Sequence, residues 1–313
     1  MARLIVAVIA AAAAYSAAFT APFVYEDHRW VGQTCFTCTA TWNRMLTHIS
    51  YWAQGDHALA IHLGNFALHV ACALLVYRLA RARDLSRDAA TLAAIALLWA
   101  PAASQAVAYA SGRSELLVAL FVLIACVWPR PTVWVACAIA LALTKDAAAP
   151  AALVLTFVAV WRLPLFWRST VLGCATAVGL TAVAARWSIV TQYGAANTSE
   201  NLGLLGQFAS QFLVPLRLSF DVDPLATPLW AFALGACVFA VAGLLSWRGS
   251  LLAILVLALW APRLIVHTGD TPQLHHAYTL YASLALVTGW VYHRYEASRQ
   301  PLAERTLDHV YAR

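Results

Sequence analysis

Charge is what this sequence has least of. Only 11% of its 313 residues are Asp, Glu, Lys or Arg, against about 25% in soluble globular domains. Lysine is nearly missing: Lys145 stands alone beside nineteen arginines. With so much alanine, that bias suggests a GC-rich bacterial source. The scarcity of charge, alongside 62% hydrophobic residues, excludes an ordinary cytosolic enzyme and a disordered chain alike. No short period is present, which excludes collagen and repeat arrays. Seven cysteines include one suggestive pair, Cys35 and Cys38. Two ligands fall short of the four a structural zinc needs, so a local disulfide and two free thiols are the readings left open. Cys72, Cys126, Cys137, Cys174 and Cys237 fall in apolar runs and read as small filler.

Apolar length is abundant. A crossing helix needs about 20 apolar residues. Runs that can cross fall near 4–21, 58–77, 89–108, 114–128, 132–144, 147–161, 169–185, 228–246, 250–266 and 277–292. The expected fold is all-α: a polytopic membrane bundle of about ten transmembrane helices, with short interfacial helices in its outer loops. Residues 1–293 would form one transmembrane domain, whose first outer loop is 22–57, and 294–313 a short cytoplasmic tail. A cleaved signal peptide is the other reading of the first run, disfavoured by its length and the lack of an A-x-A site.

The loops set orientation. With the N-terminus inside, thirteen of the twenty basic residues lie on the cytoplasmic side, among them Arg3, Arg78, Arg81, Arg83, Arg87, Arg130, Arg162, Arg168, Arg248 and Arg294. The net charge of +6 therefore reads as N-in, C-in topology and not as nucleic-acid binding. Nine of fourteen acidic residues and eight of ten histidines fall on the other half. Ionisable groups at or within apolar runs are costly, so chemistry is expected on the non-cytoplasmic face.

Several constellations there could carry it. Glu26 and Asp27 sit just beyond the first run, where a water-poor carboxylate could act as general base. A hydrated loop anchored by Trp30 is the plainer reading. His62, Asn65 and His69 form one helical stripe at i, i+3 and i+7, lining a cleft or fixing helix packing through hydrogen bonds. Pro101 should kink or break the third helix; after it, Gln105, Tyr109 and Arg113 are four apart and share a face. Arg113 could hold a phosphate through a bidentate contact, or pair with Glu115. Lys145 and Asp146 form a second cation–acid pair in a tight outer turn. Residues 211–224, with Arg217, Asp221 and Asp223, read as an interfacial helix followed by an acidic turn. His267, Asp270, His275, His276 and Tyr278 follow; the first four match no standard zinc spacing, and no metal or other cofactor is expected. Asn197-Thr198-Ser199 is a glycan acceptor pattern of little meaning in a bacterial chain.

In this order the pieces resemble the GT-C membrane glycosyltransferases, notably the membrane domain of the transmembrane-and-TPR protein O-mannosyltransferases and their bacterial relatives. The likeness rests on the acidic pair, His62-x-x-Asn65-x-x-x-His69, Ser104-Gln105-Ala106-Val107 running into Gly112-Arg113-Ser114-Glu115, Lys145-Asp146, Leu213 to Asp221, and Tyr278-x-x-Tyr281-Ala282-Ser283. It implies an inverting transferase that moves a sugar from a polyprenyl-phosphate donor to a hydroxyl of a protein, lipid or glycan. It also implies a place in the bacterial inner membrane, with the active site facing the periplasm. By resemblance Asp27 or Glu26 is the base; Arg113, Lys145 and Arg217 hold the donor phosphate. His62, Asn65, His69, Gln105, Tyr109, Asp221, His275 and Tyr278 would line the substrate cleft. The chain departs from the family at Ala100, Gln105 and His275-His276, and no TPR domain follows. A transporter or flippase for a lipid-linked or polar substrate is the competing reading, disfavoured by the lack of an internal repeat. A catalytically inactive homologue is the third.

Overall fold

The computed structural model describes residues 2–24, 27, 31, 44–100, 103–162, 251–252, 254–256, 258–259 and 278–299. Among the described residues the chain is helical and forms no strand. In chain order the helices are α1 (Ala2–Ala14), α2 (Ser16–Phe19), α3 (Met45–Trp52), α4 (Ala58–Arg81) and α5 (Arg87–Leu98). There follow α6 (Ser104–Ala108), α7 (Arg113–Val127), α8 (Pro131–Thr144), α9 (Ala149–Arg162) and α10 (Tyr278–Arg299). The expected runs at 169–185 and 228–246 lie outside the described residues, and the run at 250–266 is described only in part. Within it, Leu251, Leu252, Leu255 and Val256 are buried in the core. Among the described residues one helix, Ala58–Arg81, is long and apolar enough to cross a membrane; Ala2–Ala14, Pro131–Thr144 and Ala149–Arg162 are apolar but shorter.

Local chemistry explains the boundaries. Ser86 caps α5, its Oγ accepting the Ala89 N–H at 3.1 Å, and Asp88 in the first turn complements the helix dipole. Pro131 opens α8 at a position where its missing N–H costs nothing. The turn between α4 and α5 is closed by Asp84 at φ 62°, a conformation that Asp tolerates better than most residues. The run expected at 89–108 divides into α5 and α6, with Pro101 in the interval. Helix α10 extends to Arg299, past the boundary read at 293 from the sequence. Ser86 holds those last turns, its N–H donating to His293 Nδ1 at 3.3 Å and its Oγ bonding Glu296 Oε2 at 2.5 Å.

The core is built largely from small side chains. Ala89, Ala90, Ala93 and Ala94 of α5 are fully buried and pack against α10. A Cβ on Gly289 would lie 2.7 Å from Ala89 O and 2.9 Å from the Ala93 methyl, so only glycine lets these helices approach so closely. Among the described residues Trp134 is the largest fully buried side chain, and its indole N–H donates to Ala125 O at 2.8 Å.

Contacts assign the helix ends to two poles. Arg3 pairs with Asp88 at 2.9 Å, Arg78 lies over Trp128, Arg162 over Trp134, and the end of α10 meets Ser86. One pole therefore gathers Arg3, Arg78, Arg81, Arg83, Arg87, Arg130, Arg162, Arg294 and Arg299. At the other pole meet Asp27, α3, the start of α4, the 109–113 turn and Lys145. The arginine-rich pole also holds Asp84, Asp88 and Glu296.

Candidate functional site

The site is assembled around the turn between α6 and α7. Tyr109 is extended (φ −95°, ψ 134°), which ends α6, and Gly112 lets the chain fold back. A Cβ there would lie 2.6 Å from Ala106 O. This corrects the expectation that Gln105, Tyr109 and Arg113 share one helical face: the turn separates them. Gln105 and Tyr109 are nonetheless buried. Glu26 lies outside the described residues, as do Arg217, Asp221 and His275, the Cys35–Cys38 pair and Asn197.

Asp27 is fully buried. The Ser111 N–H donates to its Oδ1 at 3.0 Å, and the Val24 N–H approaches Oδ2 at 3.5 Å. The first loop is thereby tied to the turn that launches Arg113. An ionised carboxylate offers about four acceptor sites, so roughly half remain.

Arg113, 2% exposed, opens α7. Its Nε donates to Asn65 Oδ1 at 2.8 Å, Nη1 to Ser50 O at 3.2 Å and Nη2 to Ile61 O at 2.6 Å. The guanidinium also lies 5.0 Å over the Tyr51 ring. Every one of these acceptors is neutral. Among the described residues no carboxylate forms an ion pair with Arg113; Glu115 pairs with Lys145 Nζ instead, at 2.5 Å. The Lys145 charge is thus met by an acid on a neighbouring helix. Gly64 makes room for the arginine, since a Cβ there would lie 2.8 Å from Nη2.

The stripe on α4 divides into three tasks. Asn65 braces the turn, its Nδ2 donating to Tyr109 O at 2.7 Å while its Oδ1 receives Arg113. His69 is a packing residue, with Nδ1 and the Tyr278 hydroxyl 2.5 Å apart and Nε2 3.3 Å from Leu98 O. His62 is different: it is fully buried beside Phe23, and among the described residues neither ring nitrogen has a hydrogen-bond partner. Buried polar atoms are normally satisfied, so this imidazole has capacity for a ligand.

Sequence reasoning missed Tyr51. Its hydroxyl donates to Ala110 O at 2.7 Å, and burial pushes the phenol upward, with Arg113 opposing and Asp27 adding to that push. The phenol therefore stays a neutral donor beside the Arg113 guanidinium. The available signal was a short helix, α3, within the first outer loop read over 22–57. Among the described residues no three metal-ligating side chains converge. Comparisons with family models, curated proteins and solved structures match nothing to this chain.

Proposed function

We propose that the chain is a polytopic membrane glycosyltransferase of GT-C type. It would transfer a sugar from a polyprenyl-phosphate donor to a hydroxyl of a protein, lipid or glycan, with inversion at the anomeric carbon. One observation carries the reading. Asp27 and Arg113 are both buried, both anchored on the 109–113 turn, and not joined by an ion pair among the described residues. Burying a charge without a counter-charge is costly, and an anionic donor would supply what Arg113 lacks.

In the reaction the acceptor oxygen attacks C1, and its proton passes to a free lone pair of Asp27. The bond from C1 to the phosphate oxygen breaks, and the lipid phosphate departs with that electron pair. Three of about five guanidinium N–H groups are used within the protein. The remainder, with the fixed charge, stabilise the departing phosphate without reorganisation. His62 is placed to bond a sugar or acceptor hydroxyl; Asn65 and Tyr51 position the arginine. Lys145, neutralised by Glu115, contributes less to the phosphate. The pole carrying Asp27 would face the periplasm and the arginine-rich pole the cytoplasm.

The test is incubation of the purified protein with labelled polyprenyl-phosphate sugars and a panel of hydroxyl acceptors, scoring released lipid phosphate. Acceptor-dependent release supports the proposal. Donor binding without release by any member of the panel contradicts it and favours an inactive homologue.

A further inference from the structure

A cavity lies at the pole opposite Asp27. It measures about 180 Å³ and is lined by Arg83, Asp84, Leu85, Leu286, Trp290, His293 and Arg294. That is room for several water molecules. We infer that this cavity binds a phosphate group, carried by an anionic lipid or present as free phosphate.

Its construction favours an anion. The α4–α5 turn is held tight by Asp84 at φ 62° and by Arg81 Nη1, which donates to Leu85 O. Ser86 then fixes α10 against that turn through His293 and Glu296. Because His293 Nδ1 accepts the Ser86 N–H, the ring carries its proton on Nε2, which is therefore a donor. The neighbouring acids are turned elsewhere: Glu296 meets Ser86 and Asp88 meets Arg3. Asp84 is the one acid in the lining, against two arginines.

Arg294 stacks 5.6 Å from the Trp290 ring centre, which orients its fork as bidentate phosphate recognition requires. Leu85, Leu286 and Trp290 supply an apolar wall beside the cations, suited to the glycerol region of a lipid at a membrane interface.

The experiment uses the full chain in zwitterionic detergent. Thermal unfolding is followed as phosphatidylglycerol is added to the micelles, and separately as inorganic phosphate is added at constant ionic strength. A ligand that binds only the folded state raises Tm saturably. A saturable rise is expected, with half-saturation moved about tenfold higher in Arg83→Gln and Arg294→Gln, as for loss of a charge-assisted hydrogen bond. Arg87→Gln, an exposed residue outside the lining, should titrate as wild type. A response to phosphatidylglycerol alone makes the occupant a lipid headgroup; a response to both makes the phosphate sufficient. If Arg83→Gln does not fold, exposed Arg294 still carries the comparison. The inference is overturned by wild-type titration of Arg294→Gln, by an equal loss in Arg87→Gln, or by no saturable response to either probe.

Discussion

Arg113 donates through Nε to Asn65 Oδ1 at 2.8 Å, a neutral side-chain acceptor, and among the described residues no carboxylate pairs with the guanidinium. Replacing Asn65 with Asp separates two roles of the arginine. Asn65→Asp keeps the acceptor and supplies a carboxylate, while losing the donor to Tyr109 O. Donor-lipid affinity should fall about tenfold or more, the worth of one charge-assisted contact, with the protein still folded. Arg113→Ala instead leaves three acceptors without their donor and should cost at least about 3 kcal/mol of stability. Arg113→Lys should recover only part, because an ammonium lacks the planar fork. Undiminished lipid binding by a folded Asn65→Asp protein would make Arg113 a purely structural brace.

Lys145 and Glu115 form a buried pair, with side chains 10% and 8% exposed. Breaking such a pair from one side is expensive because the other charge stays behind. Glu115→Gln and Lys145→Met should each lower stability by about 3–5 kcal/mol. The double variant should lose clearly less than the two single losses added. Additive losses in a thermal-unfolding cycle would mean that the pair is not coupled.

Some of this was legible in the residues alone, and some was not. Apolar runs gave the helices from 58 to 162, and Pro101 anticipated the interval between α5 and α6. The stripe of His62, Asn65 and His69 was visible as a spacing. Its division was not, because whether a nitrogen is satisfied depends on Tyr109, Leu98 and Tyr278, which are distant in sequence. Lys145 was read with its neighbour Asp146, whose side chain lies outside the described residues; that it also meets Glu115, thirty residues away, left no local signal. The shared face of Gln105, Tyr109 and Arg113 assumed a continuous helix, which the extended Tyr109 breaks. Tyr51 escaped because its work is done through backbone carbonyls and a ring face, which leave no motif.

The distribution of arginine predicts orientation. Reporter fusions after Arg83, Arg168 and Arg248 should report the cytoplasm, and fusions at Asp56, Asn197 and Asp270 the opposite side. A non-cytoplasmic signal at Arg83 would invert the molecule and place Asp27 on the wrong face for the proposed donor.

Acid should weaken the site pole through His48. Burial, with the Arg44 charge second, holds its imidazole below the ordinary 6.5, so the folded protein resists protonation that the unfolded chain accepts. Below a pH of about 6.5 the unfolded state binds more protons, and stability falls as pH falls; above it this contribution is flat. Tm measured from pH 7.5 down to 5.5 should decline, and His48→Gln should flatten part of that decline. An identical slope in wild type and variant would remove His48 from the effect.

Single-turnover transfer by Asp27→Asn bears hardest on the proposed chemistry. The amide oxygen can still accept the Ser111 N–H that now reaches Oδ1 at 3.0 Å, so the turn and the lipid site should survive, with donor affinity unchanged. A general base contributes about 10²–10⁴ in rate, and the sugar-transfer step should slow by that factor in the variant. Wild-type transfer by Asp27→Asn, under conditions where product release cannot mask the chemistry, would contradict the assignment of Asp27 as the base.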